Sequence, residues 1–272
     1  MRCNLFIANA SMAAVLLLAA TGARAEDLVE RGKYLVTVGI CGSCHTPNLS
    51  GGRKTAGILS ANITPDMETG IGAWTDAQII EAIRNGKRPN GDLVRPSMGV
   101  FWYKGLSDDD LHAIVAYLRT VPPIHTTFER PAMTKLPPDY GPPVSHITEV
   151  PRSDRLAYGY YIGANVAHCM QCHTPRTADG LPDLTRLGAG GNTYDAPGGG
   201  KATSANITPG NPDGIATWSD DDIKRAVTKG VRPNGTPLIP VMDFDFYDHF
   251  TPQDLDALVV FLRSLKPVPS QQ

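Results

Sequence analysis

The residues in this sequence best suited to chemistry are cysteines placed three positions apart and followed at once by histidine. Four of the five cysteines lie in two such motifs, CGSCHTP at 41–47 and CMQCHTP at 169–175. Each motif offers two thiols and one imidazole on a short stretch of chain. This spacing is typical of a motif that holds one group, by coordination or by covalent attachment, or that forms a disulfide.

Three kinds of chemistry compete for these motifs. The fifth cysteine, Cys3, lies in the segment 1–25, which has the pattern of an export signal described below. The four cysteines that would remain are an even number, which suits disulfides in an exported chain, and Cys-x-x-Cys is half of a four-cysteine zinc site. Neither use explains a histidine directly after the second cysteine of both motifs. Covalent haem does, because the thiols add to the porphyrin vinyl groups and the imidazole binds the iron. The sequence therefore favours two haem c groups, attached through Cys41, Cys44, Cys169 and Cys172, with His45 and His173 as iron ligands.

A sixth iron ligand is sought among the five methionines that follow residue 25. The sequence contains two copies of one unit, described below. Only Met98 and Met242 occupy matching places in the two copies, each in a loop before the last predicted helix of its copy. Met170 lies inside a motif, and Met67 and Met133 have no counterpart. A thioether opposite imidazole raises the haem potential. The alternative is that both methionines fill the core.

The other histidines lack counterparts and are interpreted as surface or linker residues: His112, His125, His146, His168 and His249. Arg88 and Arg232 do recur, either as partners of haem propionates or as solvated loop cations. Trp74 and Trp218 also recur and are expected to pack in the core rather than to contact haem.

The chain reads as a tandem duplication with one enlarged loop. ANITP recurs at 61–65 and 205–209, an offset of 144, whereas the cysteine motifs are offset by 128. The second copy therefore carries a 16-residue insertion within its Gly-rich stretch. We predict domains at 26–121 and 153–272, joined by a Pro-rich extended linker at 122–152.

Each copy is expected to consist of short helices, and the fold class is all-α because no run alternates with period two. Helices are predicted to begin after Thr75, Ser107, Ser219 and Thr251, where capping residues precede apolar periodic segments. Gly86 and Gly230 are expected to end the two middle helices.

Residues 1–25 have the pattern of a secretory signal peptide. Arg2 precedes the apolar run MAAVLLLAA, and Ala23-Arg24-Ala25 resembles a cleavage site. A membrane anchor is the alternative, but the run is short for a span. Cleavage would leave 23 basic and 27 acidic residues, or −4, after loss of two of the 25 basic residues. We expect a periplasmic protein that does not bind nucleic acid.

The motifs together resemble a known family. Cys-x-x-Cys-His-Thr-Pro, ANITPD, GIGAWTD, RPNG, a loop methionine and LSDDDLHAIVAYLRT look like the multi-haem cytochrome c subunits of periplasmic alcohol and gluconate dehydrogenases. The resemblance implies two class I-like cytochrome c domains that pass electrons from a dehydrogenase catalytic subunit to the respiratory chain. It also implies Met98 and Met242 as sixth ligands.

The sequence departs from that family in two respects. It has two haem motifs where those subunits typically have three, and it ends at SLKPVPSQQ without an apolar tail. We therefore expect a dihaem shuttle or docking subunit, at most peripheral to the membrane. The alternative is a dihaem enzyme such as a peroxidase or a thiosulfate dehydrogenase, which needs an iron with an open or unusual sixth position. The matched methionines disfavour it.

Overall fold

The computed structural model of the protein describes residues 26–55, 58–128, 140–210 and 214–270. The predicted signal peptide at 1–25 lies outside the described residues. The helices of the first half are α1 (residues 26–38), α2 (Cys41–His45), α3 (Asp76–Arg84), α4 (Val100–Tyr103) and α5 (Asp108–Thr120). Those of the second half are α6 (Arg155–Tyr160), α7 (Cys169–His173), α8 (Asp220–Lys229), α9 (Phe244–Tyr247) and α10 (Pro252–Ser264). None of these helices combines the length and apolar character needed to span a bilayer.

Two short antiparallel hairpins add to the helices. Strand β1 (Lys54–Thr55) pairs with β2 (Ile58–Leu59), and β3 (Thr193–Asp195) pairs with β4 (Lys201–Thr203). The mainly helical class is confirmed, but the strict all-α prediction missed these strands. Strands of two or three residues are too short to show a period-two pattern. The β3–β4 hairpin is a longer counterpart of β1–β2, because Gly52 N–H donates to Ser60 O beside the first hairpin and Gly191 N–H donates to Ser204 O beside the second. The hairpin therefore contains only part of the 16-residue insertion predicted from the sequence.

The predicted helix starts are confirmed by their caps. Thr75 Oγ1 accepts from Gln78 N–H at 3.2 Å while Gln78 Oε1 accepts from Thr75 N–H at 2.9 Å, a complete capping box before α3. Ser219 and Asp222 form the same box before α8. The remaining two helices, α5 and α10, are capped by the hydroxyls of Ser107 and Thr251.

The helix that precedes each cysteine motif differs by one residue between the halves. In the first half, Gly39 N–H donates to Leu35 O, four residues back, at 2.8 Å. At the matching place Ala167 N–H donates to Ile162 O, five residues back, at 2.9 Å. A π-helical turn at Tyr161–Val166 thus absorbs one extra residue without changing the helix that follows.

Each half packs its first helix closely against its last. A Cβ on Gly32 would lie 1.8 Å from Ala113 O in α5, and a Cβ on Gly159 would lie 2.0 Å from Ala257 O in α10. Only glycine permits this approach of two backbones. The crossing fixes the first helix of each half, and with it the cysteine motif that follows.

Apolar side chains of the two halves pack together, and the halves exchange two matching hydrogen bonds. Tyr34 in α1 donates to the carboxylate of Asp254 in α10. Reciprocally, Tyr161 donates to Asp110 Oδ2 in α5 at 2.6 Å. Buried side chains of both halves belong to the same hydrophobic cluster. The halves are therefore held in a defined relative orientation.

The predicted linker has no helix or strand in its described parts, 122–128 and 140–152. It is not a free spacer, however. Asn62 Nδ2 donates to Ile124 O at 2.7 Å, and Val144 N–H donates to Asn85 Oδ1 at 2.9 Å. These contacts hold both ends of the segment against the first half. The predicted domain boundaries themselves stay predictions.

Candidate haem-binding sites

Both cysteine motifs form one turn of helix, which places the two thiols on one side. The helix α2 begins after Ile40, whose φ is +50°, and α7 begins after His168, whose φ is +39°. The shared left-handed entry makes a sharp corner between the preceding helix and the motif. Burial raises the pKa of the Cys41 thiol to about 12, and the neighbouring Cys44 adds to the shift. Burial likewise raises the pKa of Cys169 to about 12, and the neighbouring Cys172 adds to the shift.

The histidine of each motif is oriented by a backbone carbonyl. His45 Nδ1 lies 2.7 Å from Ala61 O, and His173 Nδ1 lies 2.8 Å from Ala205 O. A neutral imidazole that donates from Nδ1 carries its lone pair on Nε2, the nitrogen suited to bind a metal. Both carbonyls belong to the first residue of the ANITP repeats. Sequence reasoning found these repeats but not their role.

The rest of each ANITP segment fixes that carbonyl. Asn62 Oδ1 accepts from both Thr64 N–H and Thr64 Oγ1, at 2.9 and 2.8 Å. Asn206 and Thr208 repeat the pattern at 2.9 and 2.7 Å. Each asparagine also donates to the chain beyond the last helix of its half. The loop that orients each histidine is therefore rigid.

The two methionines lie at matching places on the chain, as predicted. Met98 ends a 3₁₀ turn at Pro96–Met98, and Met242 stands two residues before α9. Both side chains are half-buried and pack against the shared core. Their ligation of iron stays a prediction.

The remaining histidines occupy two kinds of environment. Four are exposed, as predicted: His112, His125, His146 and His249. The surface interpretation of His168 is wrong. Its ring packs edge-on against Tyr103 of the other half, with centroids 5.4 Å apart. Burial lowers the pKa of His168 to about 4.

The repeated arginines and tryptophans have loop and core contacts. Arg232 donates to Pro237 O within its own loop, and Arg88 is half-buried with its pKa lowered by burial. Trp74 and Trp218 pack against buried apolar clusters, which supports the core interpretation. Their carbonyls accept hydrogen bonds from Arg119 and Arg263.

Three tyrosines near the cysteines were missed as site residues. Burial raises the pKa of Tyr103, and Cys41 and Cys44 add to the shift. Tyr247 stands in the same relation to the second cysteine pair. The match of these two tyrosines in the repeat was the available signal. Tyr194, in β3, hydrogen-bonds Cys172 and had no sequence signal.

The arrangement of the thiols and imidazoles distinguishes between disulfide, zinc and haem. The four cysteines of the motifs form no disulfide. Within the described ranges, no group of three or more His, Cys, Asp or Glu side chains is arranged to hold a metal ion. Two thiols on one helical turn, next to an imidazole oriented through Nδ1, fit covalent haem twice over.

Comparison with known proteins agrees with this geometry. Residues 29–122 match the cytochrome c family. A gluconate 2-dehydrogenase cytochrome c subunit from Pantoea cypripedii is 30% identical over 88% of the chain and 60% of its own length. The cytochrome c subunit of a quinone alcohol dehydrogenase from Gluconacetobacter polyoxogenes is 30% identical, over 96% of the chain and 62% of its own length.

The chain matches a larger share of a third relative. A diheme cytochrome c-type protein from Cereibacter sphaeroides is 32% identical over 75% of the chain and 74% of its own length. By contrast, the chain spans about three fifths of the two dehydrogenase subunits. The duplicated thiol and imidazole sets and these similarities lead to one conclusion: the chain belongs to the cytochrome c family.

Proposed function

We propose that the protein is a dihaem cytochrome c that carries electrons and has no substrate of its own. Each domain, at 26–121 and 153–272, holds one haem c. The proposed thioether bonds form at Cys41, Cys44, Cys169 and Cys172, and the proposed iron ligands are His45 with Met98 and His173 with Met242. The observation that carries the proposal is the same carbonyl-oriented histidine behind both cysteine pairs.

Bound haem supplies a reversible one-electron couple at iron. The chain contributes the fixed imidazoles, the rigid ANITP loops and an apolar surrounding. Met98 with His45, and Met242 with His173, would complete the ligand set of each iron, so small molecules would find no vacant site. The rigid contact between the halves suits a relay, because it keeps the two groups at a constant separation.

The proposed donor is the catalytic subunit of a dehydrogenase, and the proposed acceptor belongs to the respiratory chain. Support for the donor comes from relatives that are cytochrome c subunits of gluconate and alcohol dehydrogenases. The signal-peptide pattern at 1–25 supports a periplasmic location. Docking would be peripheral to the membrane.

Two measurements test this function. Electron paramagnetic resonance of the oxidised protein should show two low-spin haems, and the near-infrared band of methionine ligation should be present. A high-spin haem that reacts rapidly with peroxide would contradict electron transfer and indicate an enzyme.

The partner is tested by mixing the oxidised protein with a purified gluconate or alcohol dehydrogenase catalytic subunit and its substrate. Reduction of both haems, in two resolved phases, is the expected result. A protein reduced by dithionite but by neither dehydrogenase would contradict the proposed donor and leave the haem assignment intact.

A further inference from the structure

The residues between the two cysteines of each motif contact the methionine loop of the opposite half. In the first motif, Ser43 Oγ donates to Asp243 Oδ1 at 2.7 Å, across 200 positions of sequence. Asp243 directly follows Met242 and is half-buried. The neighbouring Gly42 reinforces this contact, because a Cβ there would lie 3.1 Å from the ring of Phe246.

The second motif makes the reciprocal contact. Gln171 Nε2 donates to Ser97 O, the residue before Met98, at 3.3 Å. On the other side of Met98, a Cβ on Gly99 would lie 2.5 Å from Gln171 Oε1. The amide of Gln171 therefore spans the backbone on both sides of this methionine.

In both contacts, a side chain between the two cysteines of a motif donates to the methionine loop of the opposite half. The two acceptors, however, differ in chemistry. Ser43 holds a carboxylate, and its own carbonyl accepts from Arg53 Nη1 at 2.5 Å, which fixes the serine in turn. Gln171 holds a backbone carbonyl through a longer, weaker bond. Loss of a hydrogen bond to a partly buried carboxylate costs more than loss of one to a carbonyl. The Ser43 contact should therefore be the stronger of the two.

We propose that Ser43 and Gln171 are positioning residues for the methionine loops of the opposite halves. Ser43, tethered beside the first haem, holds the loop of Met242 at the second haem. Gln171, tethered beside the second haem, holds the loop of Met98 at the first. This inference rests on the proposed function, because it takes Met98 and Met242 as iron ligands.

The test measures the affinity of each haem for imidazole, which competes with a methionine ligand. In the Met98→His variant only the second haem keeps a methionine–iron band, and in the Met242→His variant only the first haem keeps one. Each variant therefore reports on one haem alone. In the Met98→His protein, adding Ser43→Ala should raise imidazole affinity at the second haem roughly tenfold. In the Met242→His protein, Ser43→Ala should leave the first haem unchanged, although Ser43 lies in its attachment motif.

Gln171→Ala should show the opposite pattern, with a smaller rise at the first haem and none at the second. Ser43→Thr, which retains the hydroxyl, should restore the wild-type affinity. An effect of Ser43→Ala on the first haem alone, or on neither haem, overturns the proposal while the ligand assignment stands. Absence of the methionine band from the unsubstituted protein refutes the ligand assignment and this proposal with it.

Discussion

Tyr34 and Tyr161 form a matched pair of hydroxyl donors at the contact between the two halves, and their acceptors differ. Asp110, which accepts from Tyr161, also accepts from Arg31 Nε and Nη2 at 2.8 Å each. Asp254, which accepts from Tyr34, is fully buried, and its Oδ1 has no hydrogen-bond partner. Arg152 Nη1 lies 4.0 Å from that oxygen. Removing the two hydroxyls should therefore have unequal effects.

The expected magnitudes follow from the donors that remain. Tyr161→Phe leaves Asp110 paired with Arg31 and should reduce the free energy of unfolding by about 1.5 kcal/mol. Tyr34→Phe leaves a buried carboxylate opposite one half-exposed arginine and should cost about 3 kcal/mol. Both variants keep the aromatic ring, so apolar packing is unchanged.

Urea unfolding of the haem-loaded proteins, followed by far-ultraviolet circular dichroism, measures both differences under the same conditions. The unfolding slope should match that of the unsubstituted protein, which shows that only stability has changed. Equal losses within about 0.5 kcal/mol, or a larger loss for Tyr161→Phe, would refute the electrostatic reasoning.

Three further outcomes are expected. Met98→Ala and Met242→Ala should each lower one haem potential, measured by redox titration, and should each open one iron to imidazole. A haem spectrum that the substitution leaves unchanged would remove that methionine from the ligand set. The pKa of Asp108 is lowered to about 2, because hydrogen bonds from Ile147 N–H, Arg84 and His146 outweigh its desolvation. Stability from this group should be present above about pH 4 and lost as pH falls to about 2, and Asp108→Asn should flatten that part of an acid-unfolding curve. Gly32→Ala should destabilise the protein by about 3 kcal/mol in urea, since the new Cβ meets a backbone oxygen that cannot move aside; a change under about 1 kcal/mol would contradict the close helix crossing.

Short-range sequence features were enough to predict where most of the helices begin and end. Capping residues, apolar periodicity and the terminating glycines are all short-range features, so Thr75, Ser107, Ser219 and Thr251 could be identified without the fold. The offset of 144 also located the ANITP and RPNG segments and the enlarged loop. These predictions needed no contact between distant residues.

The site could be predicted only in part, because its supporting contacts join residues far apart in sequence. The carbonyl of Ala61 is a backbone atom, and its use by His45 leaves no mark on residue type. His168 seemed a surface residue because its partner, Tyr103, lies in the other half. The π-helical turn at Tyr161–Val166 could not be predicted either, because one extra residue changes the apolar periodicity of a helix too little to be recognised in the sequence.

The central claim is that two haem groups are bonded to the polypeptide, one at each cysteine pair. Intact-mass spectrometry of the denatured protein tests it most directly. We expect the mass of the polypeptide plus two haem groups, and plus one in the Cys169→Ala, Cys172→Ala double variant. A denatured chain that carries no haem, or one whose haem content is unchanged in the double variant, would contradict the account.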